Sequence, residues 1–193
     1  EALKKADTRG KTPNSIDEYN TKFEALKTQL EEAKTEAEKV LAKENNATKE
    51  EAKAAQAKVD AVKAELDKAV AVLKDKGNTE GLEAAKNELK TATEATNVTD
   101  GKTTESADKY NEAKTAAEAV VKEAEGVIAD VNSTTEDVAN ALTKVNAAKA
   151  VLDDAKSKLV EAATADEKAK LKADYEALKK ADTRGKTPNS IDE

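Results

Sequence analysis

Apolar residues in this chain recur in alternating steps of three and four. Ile16, Tyr19, Phe23, Leu26, Leu30, Ala33, Ala37 and Val40 form one series, and Ala52, Ala55, Val59, Val62, Leu66, Ala69 and Leu73 form the next. A third runs through Val138, Ala141, Val145, Ala148, Leu152, Ala155 and Leu159. A mean step near 3.5 residues keeps each series on one helical face and winds that face left-handed around partner helices. No stretch sustains the alternation of a half-buried strand, so the spacing predicts an all-α protein.

The breaks between series carry helix signals. Thr12-Pro13 places a capping hydroxyl ahead of a proline whose missing N–H costs nothing at the first helical position. The helix it opens is expected over about 13–44, ending at Asn45-Asn46-Ala47. Thr48-Lys49-Glu50-Glu51 reads as a capping box for the next helix, which Gly77 and Gly81 close. Leu82, Ala85, Leu89 and Ala92 predict a shorter helix, and residues 97–103 a loop around Gly101. Between Leu159 and Leu171 there is no Gly or Pro, only a cap candidate at Thr164. A continuous helix and a short turn are both open there.

The chain also repeats itself. Residues 1–18 read EALKKADTRGKTPNSIDE, and residues 176–193 read the same without a change, 175 positions on. Divergent repeats do not keep every surface Lys and Asp, so the chain is one full period of an array plus the start of the next. A fainter repetition lies inside the period. Gly10-Lys11-Thr12 followed by Tyr19-Asn20 returns as Gly101-Lys102-Thr103 followed by Tyr110-Asn111, an offset of 91. Asn46-Ala47-Thr48 with Val59, Leu66 and Leu73 returns as Asn132-Ser133-Thr134 with Val145, Leu152 and Leu159, an offset of 86. The five-residue difference marks a shorter middle helix in the second unit. Each unit is thus helix A, helix B, helix C, enough to close a core where two helices bury their stripes less well. The expected divisions are 1–78 (helix A truncated), 79–164, and 165–193 as helix A and the first turn of helix B of the next repeat. The expected fold is a tandem of antiparallel three-helix bundles, spectrin-like, stacked end to end as an elongated rod. Residues 183–193 are expected to fray or to borrow packing from a neighbouring molecule. The seams also suit an intermolecular bundle.

Composition tests this reading. Leu, Ile, Val and Phe number 13, 3, 14 and 1, together 31 of 193. That is below the ~20% level which, with high net charge, signals disorder. Here 33 basic and 40 acidic residues are interleaved, for a net charge of −7, the pattern of solvated helix faces. The Ala-rich seams predict close helices with modest stability per unit, supported by helix propensity and pairs such as Glu118/Lys122 and Asp154/Lys158. Gly126, inside the second helix B, is expected to weaken it by about 1 kcal/mol relative to Ala.

Several function classes drop out. The chain has no Cys, His, Met or Trp. Thiol chemistry, disulfides and the usual transition-metal ligands are therefore missing, and no nucleophile–base pair can be built on His or Cys. No catalytic, cofactor-binding or metal residues are assigned, and neither an enzyme, a cofactor nor a small-molecule substrate is expected. The lack of Met predicts an internal stretch of a longer chain. No apolar run reaches the ~18 residues of a membrane helix. Mild acidity argues against nucleic acid, and the short basic runs Lys4-Lys5 and Lys168-Ala169-Lys170 are interrupted by acids. Asp153-Asp154 and Glu31-Glu32 lack the spacing of a calcium loop and read as solvated faces. The sequons at Asn46, Asn97 and Asn132 matter only in a eukaryotic secretory route, and two of them coincide with helix caps. Tyr19-Asn20 and Tyr110-Asn111 read as core-edge anchors with the hydroxyl in water, or else as a recognition feature.

Thr12-Pro13-Asn14-Ser15, a helix, then Asn46-Ala47-Thr48-Lys49-Glu50-Glu51 and a Val/Ala/Leu helix together resemble FIVAR-type three-helix modules. The resemblance covers both units and most of the chain. It departs in the long loop at 97–103 and in the second unit, where Thr104 replaces the proline. Such modules occur in long, repetitive, wall-anchored surface proteins of Gram-positive bacteria, including giant extracellular-matrix-binding proteins. The resemblance implies an extracellular, cell-wall-anchored location and a stalk or adhesive role, with no catalytic residues to carry over. A structural reading makes the chain a spacer that projects a distal adhesive domain, its partners being adjacent repeats of the same chain. A binding reading makes each repeat engage a host protein (albumin, immunoglobulin or matrix), with avidity from the array. An intracellular coiled-coil scaffold fits the seams but not the broken helices and the near-exact long repeat.

Overall fold

The computed structural model describes residues 5–183; of the stretch expected to fray, 184–193 lies outside the described residues. Six α-helices follow one another: α1 (Pro13–Leu41), α2 (Lys49–Val70), α3 (Glu80–Thr93), α4 (Thr104–Ala129), α5 (Thr135–Ser157) and α6 (Ala165–Thr183), with a 3₁₀ turn at Glu44–Asn46. Among the described residues there is no strand, only isolated antiparallel bridges at Lys11–Asp75, Lys76–Thr134 and Lys102–Glu161. The protein is an all-α set of helical bundle repeats.

The seams are buried at some positions, while others, such as Phe23, Leu26 and Val59, are half-buried and Ala52 is exposed. Tyr19, Leu30 and Ala33 of α1 and Ala55, Val62, Leu66 and Ala69 of α2 are buried. Leu30, Ala33 and Val62 form one core cluster with Phe23 and Val59 packed against it, where α1 lies along α2. Leu82 and Leu89 of α3 are fully buried. Tyr110, Ala117, Val121 and Ala124 of α4 and Val138, Ala141, Val145 and Leu152 of α5 are buried as well. By contacts the chain divides into two compact units, one drawn from residues up to 88 with 120–146, the other from 89–119 with residues from 147 onward.

Several boundaries differ from expectation, each for a local reason. α1 stops at Leu41, before residue 44, because Glu44 takes a left-handed backbone (φ 47°) as the first residue of the 3₁₀ turn. α2 ends at Val70, far short of Gly77, and unwinds through 3₁₀-type bonds from Val72 and Leu73. Gly81 closes nothing; it lies in the first turn of α3. Between Leu159 and Leu171 the short turn wins over the continuous helix. Val160 N–H donates to Ser106 Oγ and Ala162 N–H to the Gly101 carbonyl, which holds the backbone out of helix until Thr164 caps α6. Gly126 is inside α4 with open space where a Cβ would stand.

Candidate functional site

The contacts that recur between repeats gather at one place in each. In the first repeat Gly10 turns the chain with φ 72°, a left-handed conformation that costs a residue with a Cβ. Lys11 N–H donates back to the Thr8 carbonyl at 3.2 Å. The next residues pair with the chain leaving α2. Thr12 N–H donates to the Lys74 carbonyl at 2.9 Å, and Lys76 N–H to the Gly10 carbonyl at 2.8 Å. Lys11 Nζ meets Asp75 Oδ1 at 2.7 Å. Beneath them Thr12 and Ser15 are buried. The Ser15 hydroxyl donates to the Thr12 carbonyl and accepts from Thr12 Oγ1 and from Lys74 N–H. This corrects the capping expectation: the Thr12 hydroxyl makes no cap bond to α1 and is spent on Ser15.

The second repeat builds the same clasp from its own residues. Gly101 turns at φ 68°, and Lys102 N–H donates to the Thr99 carbonyl. Thr103 N–H reaches the Val160 carbonyl and Ala162 N–H the Gly101 carbonyl, each at 2.8 Å. Lys102 pairs with Glu161. Thr103 Oγ1 and Ser106 Oγ share a hydrogen bond, and Ser106 Oγ takes the Val160 N–H. Gly-Lys-Thr-x-x-Ser therefore has a physical reading: Gly for the turn, Lys for the acid beyond helix C, Thr and Ser for the hydroxyl pair.

Tyr19 and Tyr110 lie four residues beyond these serines, one helical turn on. Both rings are buried, which corrects the expectation of a core-edge ring with its hydroxyl in water. The Tyr19 hydroxyl accepts the Ala6 N–H at 2.7 Å. Burial pushes the Tyr110 phenol above its ordinary value.

A second set of contacts joins the first clasp to the turn between α4 and α5. Gly77 N–H donates to the Ser133 carbonyl at 3.0 Å, and Thr135 N–H to the Asp75 carbonyl at 3.2 Å. Asn14 N–H donates to Asn132 Oδ1 at 2.9 Å. Ser133 is buried, its hydroxyl on the Val127 carbonyl at 2.6 Å. Gly77 sits so close that a Cβ there would lie 2.4 Å from Val138 Cγ2 and 2.7 Å from the Thr134 carbonyl oxygen. These bonds link the end of one repeat to the next, and the sequence reading missed them. Gly77 was legible only as a stop signal.

The helix starts beside these contacts carry reciprocal caps. In the α2 capping box Thr48 Oγ1 accepts Glu51 N–H and Glu51 accepts Thr48 N–H. Thr134 and Asp137 do the same at α5, Thr164 and Glu167 at α6. The Thr134 hydroxyl and N–H hold the Asp137 carboxyl below its usual range. Lys43 and then Thr48 do so for Glu51, and the Thr164 N–H and hydroxyl for Glu167. At the exposed turn before Gly10, Arg9 holds Asp7 down to about 2.

The remaining sequence candidates are dispersed. Asn46 closes the 3₁₀ turn before the α2 cap, Asn132 serves the junction, and Asn97 takes a left-handed backbone. Glu31 pairs with Lys34 and Asp154 with Lys158 on helix surfaces. Among the described residues no three His, Cys, Asp or Glu side chains gather as a metal site, and no helix is long and apolar enough to cross a membrane.

The sequence matches the FIVAR domain over residues 1–77 and again over 85–153. A solved structure from the characterization of extracellular matrix binding protein (Embp)-mediated Staphylococcus epidermidis adherence to fibronectin is similar over 81% of this chain and 92% of its own. The sequence identity is 25% and the TM-score 0.42.

Proposed function

Because this chain belongs to the FIVAR domain family, matching it twice in succession, we propose that it is a structural repeat of a bacterial cell-surface adhesin. In this reading it is a spacer that holds a distal binding domain away from the cell wall. The repeats are assigned to 1–78 and 79–164, with 165–193 opening the next. The location is extracellular, with the wall anchor elsewhere in the full-length protein.

The observation that carries the spacer role is the junction. Gly77, Asp75 and Asn14 are committed to backbone and amide bonds with Ser133, Thr135 and Asn132. Specific polar contacts of the chain thus go into setting one repeat on the next. The helix surfaces carry spaced ion pairs such as Lys109–Glu105 and Lys144–Glu123, which suit solvation better than capture of a partner. The mechanism is geometric: reach scales with repeat number, and no catalytic step or cofactor takes part.

The test is a display series in which one, two and four copies of the 175-residue period separate a wall anchor from a reporter domain. Antibody access to the reporter through a surface polymer layer is expected to rise with copy number. Cells carrying the reporter-less series are expected not to adhere to fibronectin, albumin or immunoglobulin. Copy-independent access together with adhesion to one of these proteins would replace the spacer by a host-binding repeat acting through avidity.

A further inference from the structure

Residues 74–77 are bonded on both sides in alternation. The Lys74 carbonyl takes the Thr12 N–H and the Lys76 N–H reaches the Gly10 carbonyl, both toward the first clasp. The Asp75 carbonyl and the Gly77 N–H turn the other way, to Thr135 and Ser133. Antiparallel bridges lie on both sides, Lys11–Asp75 on one and Lys76–Thr134 on the other. The chain leaving α2 is thus held by the segment that opens α1 and by the segment that opens α5.

Connectivity gives the clasp a further part. The chain comes to the first clasp at Gly10, runs out along α1 and back along α2, and leaves at Lys76. The points of arrival and departure are bonded to each other, Lys76 N–H on the Gly10 carbonyl at 2.8 Å. In the second repeat the chain arrives at Gly101, runs along α4 and α5, and leaves at Ala162, whose N–H is bonded to the Gly101 carbonyl. Each clasp therefore ties the open ends of a helix pair whose other ends are joined by a short turn. A pull along the backbone meets the clasp before it can part the helices.

Clasp and seam resist such a pull differently. The clasp bonds stand in order from the loaded end. In the first repeat these are the Lys76–Gly10 bond, the Lys11–Asp75 ion pair, then Thr12 N–H on Lys74 with Ser15 Oγ beneath. In the second they are the Ala162–Gly101 bond, the Lys102–Glu161 ion pair, then Thr103 N–H on Val160 with Ser106 Oγ. They are loaded one after another. The seam behind them is a buried face, with Leu30, Ala33 and Val62 in the first repeat and Val121 and Val145 in the second. No contact between the paired helices is pulled apart while the clasp holds. Residues 11–75 and 102–161 stay folded behind it.

We propose that each clasp is a latch against tension. Under a pull along the chain it opens first, with the helix pair still packed. Only then do the helices part, releasing roughly 200 Å of extended chain per repeat. When the pull falls, the pair re-forms and the glycine turn brings Gly-Lys-Thr back to its partners. The use of such a latch in a surface array rests on the spacer reading. The order of opening is a property of this chain and is read on the chain alone, whatever the display series finds.

The test is unfolding of the full chain at constant force, held by its two ends. Ser15→Ala and Ser106→Ala take the hydroxyl out of each clasp. Val62→Ala and Val145→Ala take two methyls out of each seam. Urea midpoints give the stability each variant loses at rest. A barrier at which the clasp is open and the seam intact makes clasp variants unfold faster and leaves seam variants unchanged. The clasp variants are expected to raise the rate at a fixed force by about fivefold, the equivalent of one lost hydrogen bond. The seam variants are expected to raise it by less than about twofold, although they lose at least as much stability at rest. Seam variants that unfold faster in proportion to the stability they lose would overturn the proposal.

Lys102→Cys/Glu161→Cys tests the same order should a lost hydroxyl disturb the clasp at rest. The two positions face each other between the Thr103–Val160 and Ala162–Gly101 bonds. That is the closer kind of antiparallel pair, within reach of a disulfide, and the chain has no cysteine of its own. Oxidation is expected to abolish opening of the second repeat at forces where the reduced variant opens. A second repeat whose first step keeps its rate after oxidation would place the barrier in α3 and sink the latch.

Discussion

The two repeats end in the same clasp, and different residues follow it. After the first, residues 75–77 go on to bond Ser133 and Thr135. After the second, Ala163 stands where Gly77 stands, 86 positions on. All partners of a clasp lie within one repeat, so each repeat satisfies these backbone groups alone. The junction draws on two repeats and is tuned to the pair that meets there. What distinguishes them in sequence is small: Gly77 against Ala163, Val138 against Ala52 and Ser133 against Ala47. A shared clasp thus precedes junction residues that differ by one carbon at Gly77 and Ala163, by two at Val138 and Ala52, and by a hydroxyl oxygen at Ser133 and Ala47.

Experiments on matched residues can break this comparison or sharpen it. The largest effect is expected at the anchors common to both repeats. Tyr19→Ala and Tyr110→Ala should each cost about 3–5 kcal/mol, the range for burying and then removing a large aromatic. Calorimetry that finds one of them below ~1 kcal/mol would show that the repeats are not equivalent even in their cores.

Next comes the junction. Gly77→Ala drives a methyl into Val138 and should cost about 1–3 kcal/mol by overpacking, whereas Ala163→Gly should stay within about 0.5 kcal/mol. Urea midpoints compare the two, and equal shifts would sink the distinction between junctions. Gly10→Ala and Gly101→Ala come third. Each forces a side chain into left-handed backbone at about 1–2 kcal/mol, and the two should match because the clasps do. Gly126→Ala, in open space inside α4, should raise stability by about 1 kcal/mol, read as a higher Tm.

The smallest expected effect is the response to acid. Asp137, Glu51 and Glu167 have folded pKa values held below their ordinary ones. Their contribution is present above the unfolded carboxylate range near ~4 and is lost as pH falls through the lower folded values. Far-UV circular dichroism melts from neutral pH down should show stability falling below about pH 4. The triple variant Thr48→Ala/Thr134→Ala/Thr164→Ala should start lower and fall less.

Much of the fold was legible because it is written in side chains. The three-four series marked the buried faces of α1, α2 and α5, and the offsets of 91 and 86 matched the two clasps residue by residue. Thr48 with Glu51 gave the α2 cap outright. The candidate site was legible only as landmarks. Gly-Lys-Thr stood out by repetition, but its partners are the carbonyls of Lys74 and Val160, and a backbone carbonyl leaves no trace in residue type. The Thr12 hydroxyl had two possible uses, and Ser15, buried three residues on, took it. The choice of a turn over a continuous helix after Leu159 rested on Gly101, nearly sixty residues earlier, beyond the reach of any local rule.

Gly77 also bears on how such an array can change in length over generations. Exchange between similar gene segments removes or adds whole stretches of sequence. Loss of a single repeat would bring Ala163 up to Val138, its methyl 2.4 Å from Cγ2 in the geometry of the first junction, or would set Gly77 beside Ala52 with a gap between them. Loss of a full 175-residue period restores each end to the turn it matches. Copy number is then expected to drift in twos, with one glycine setting the phase of the gene.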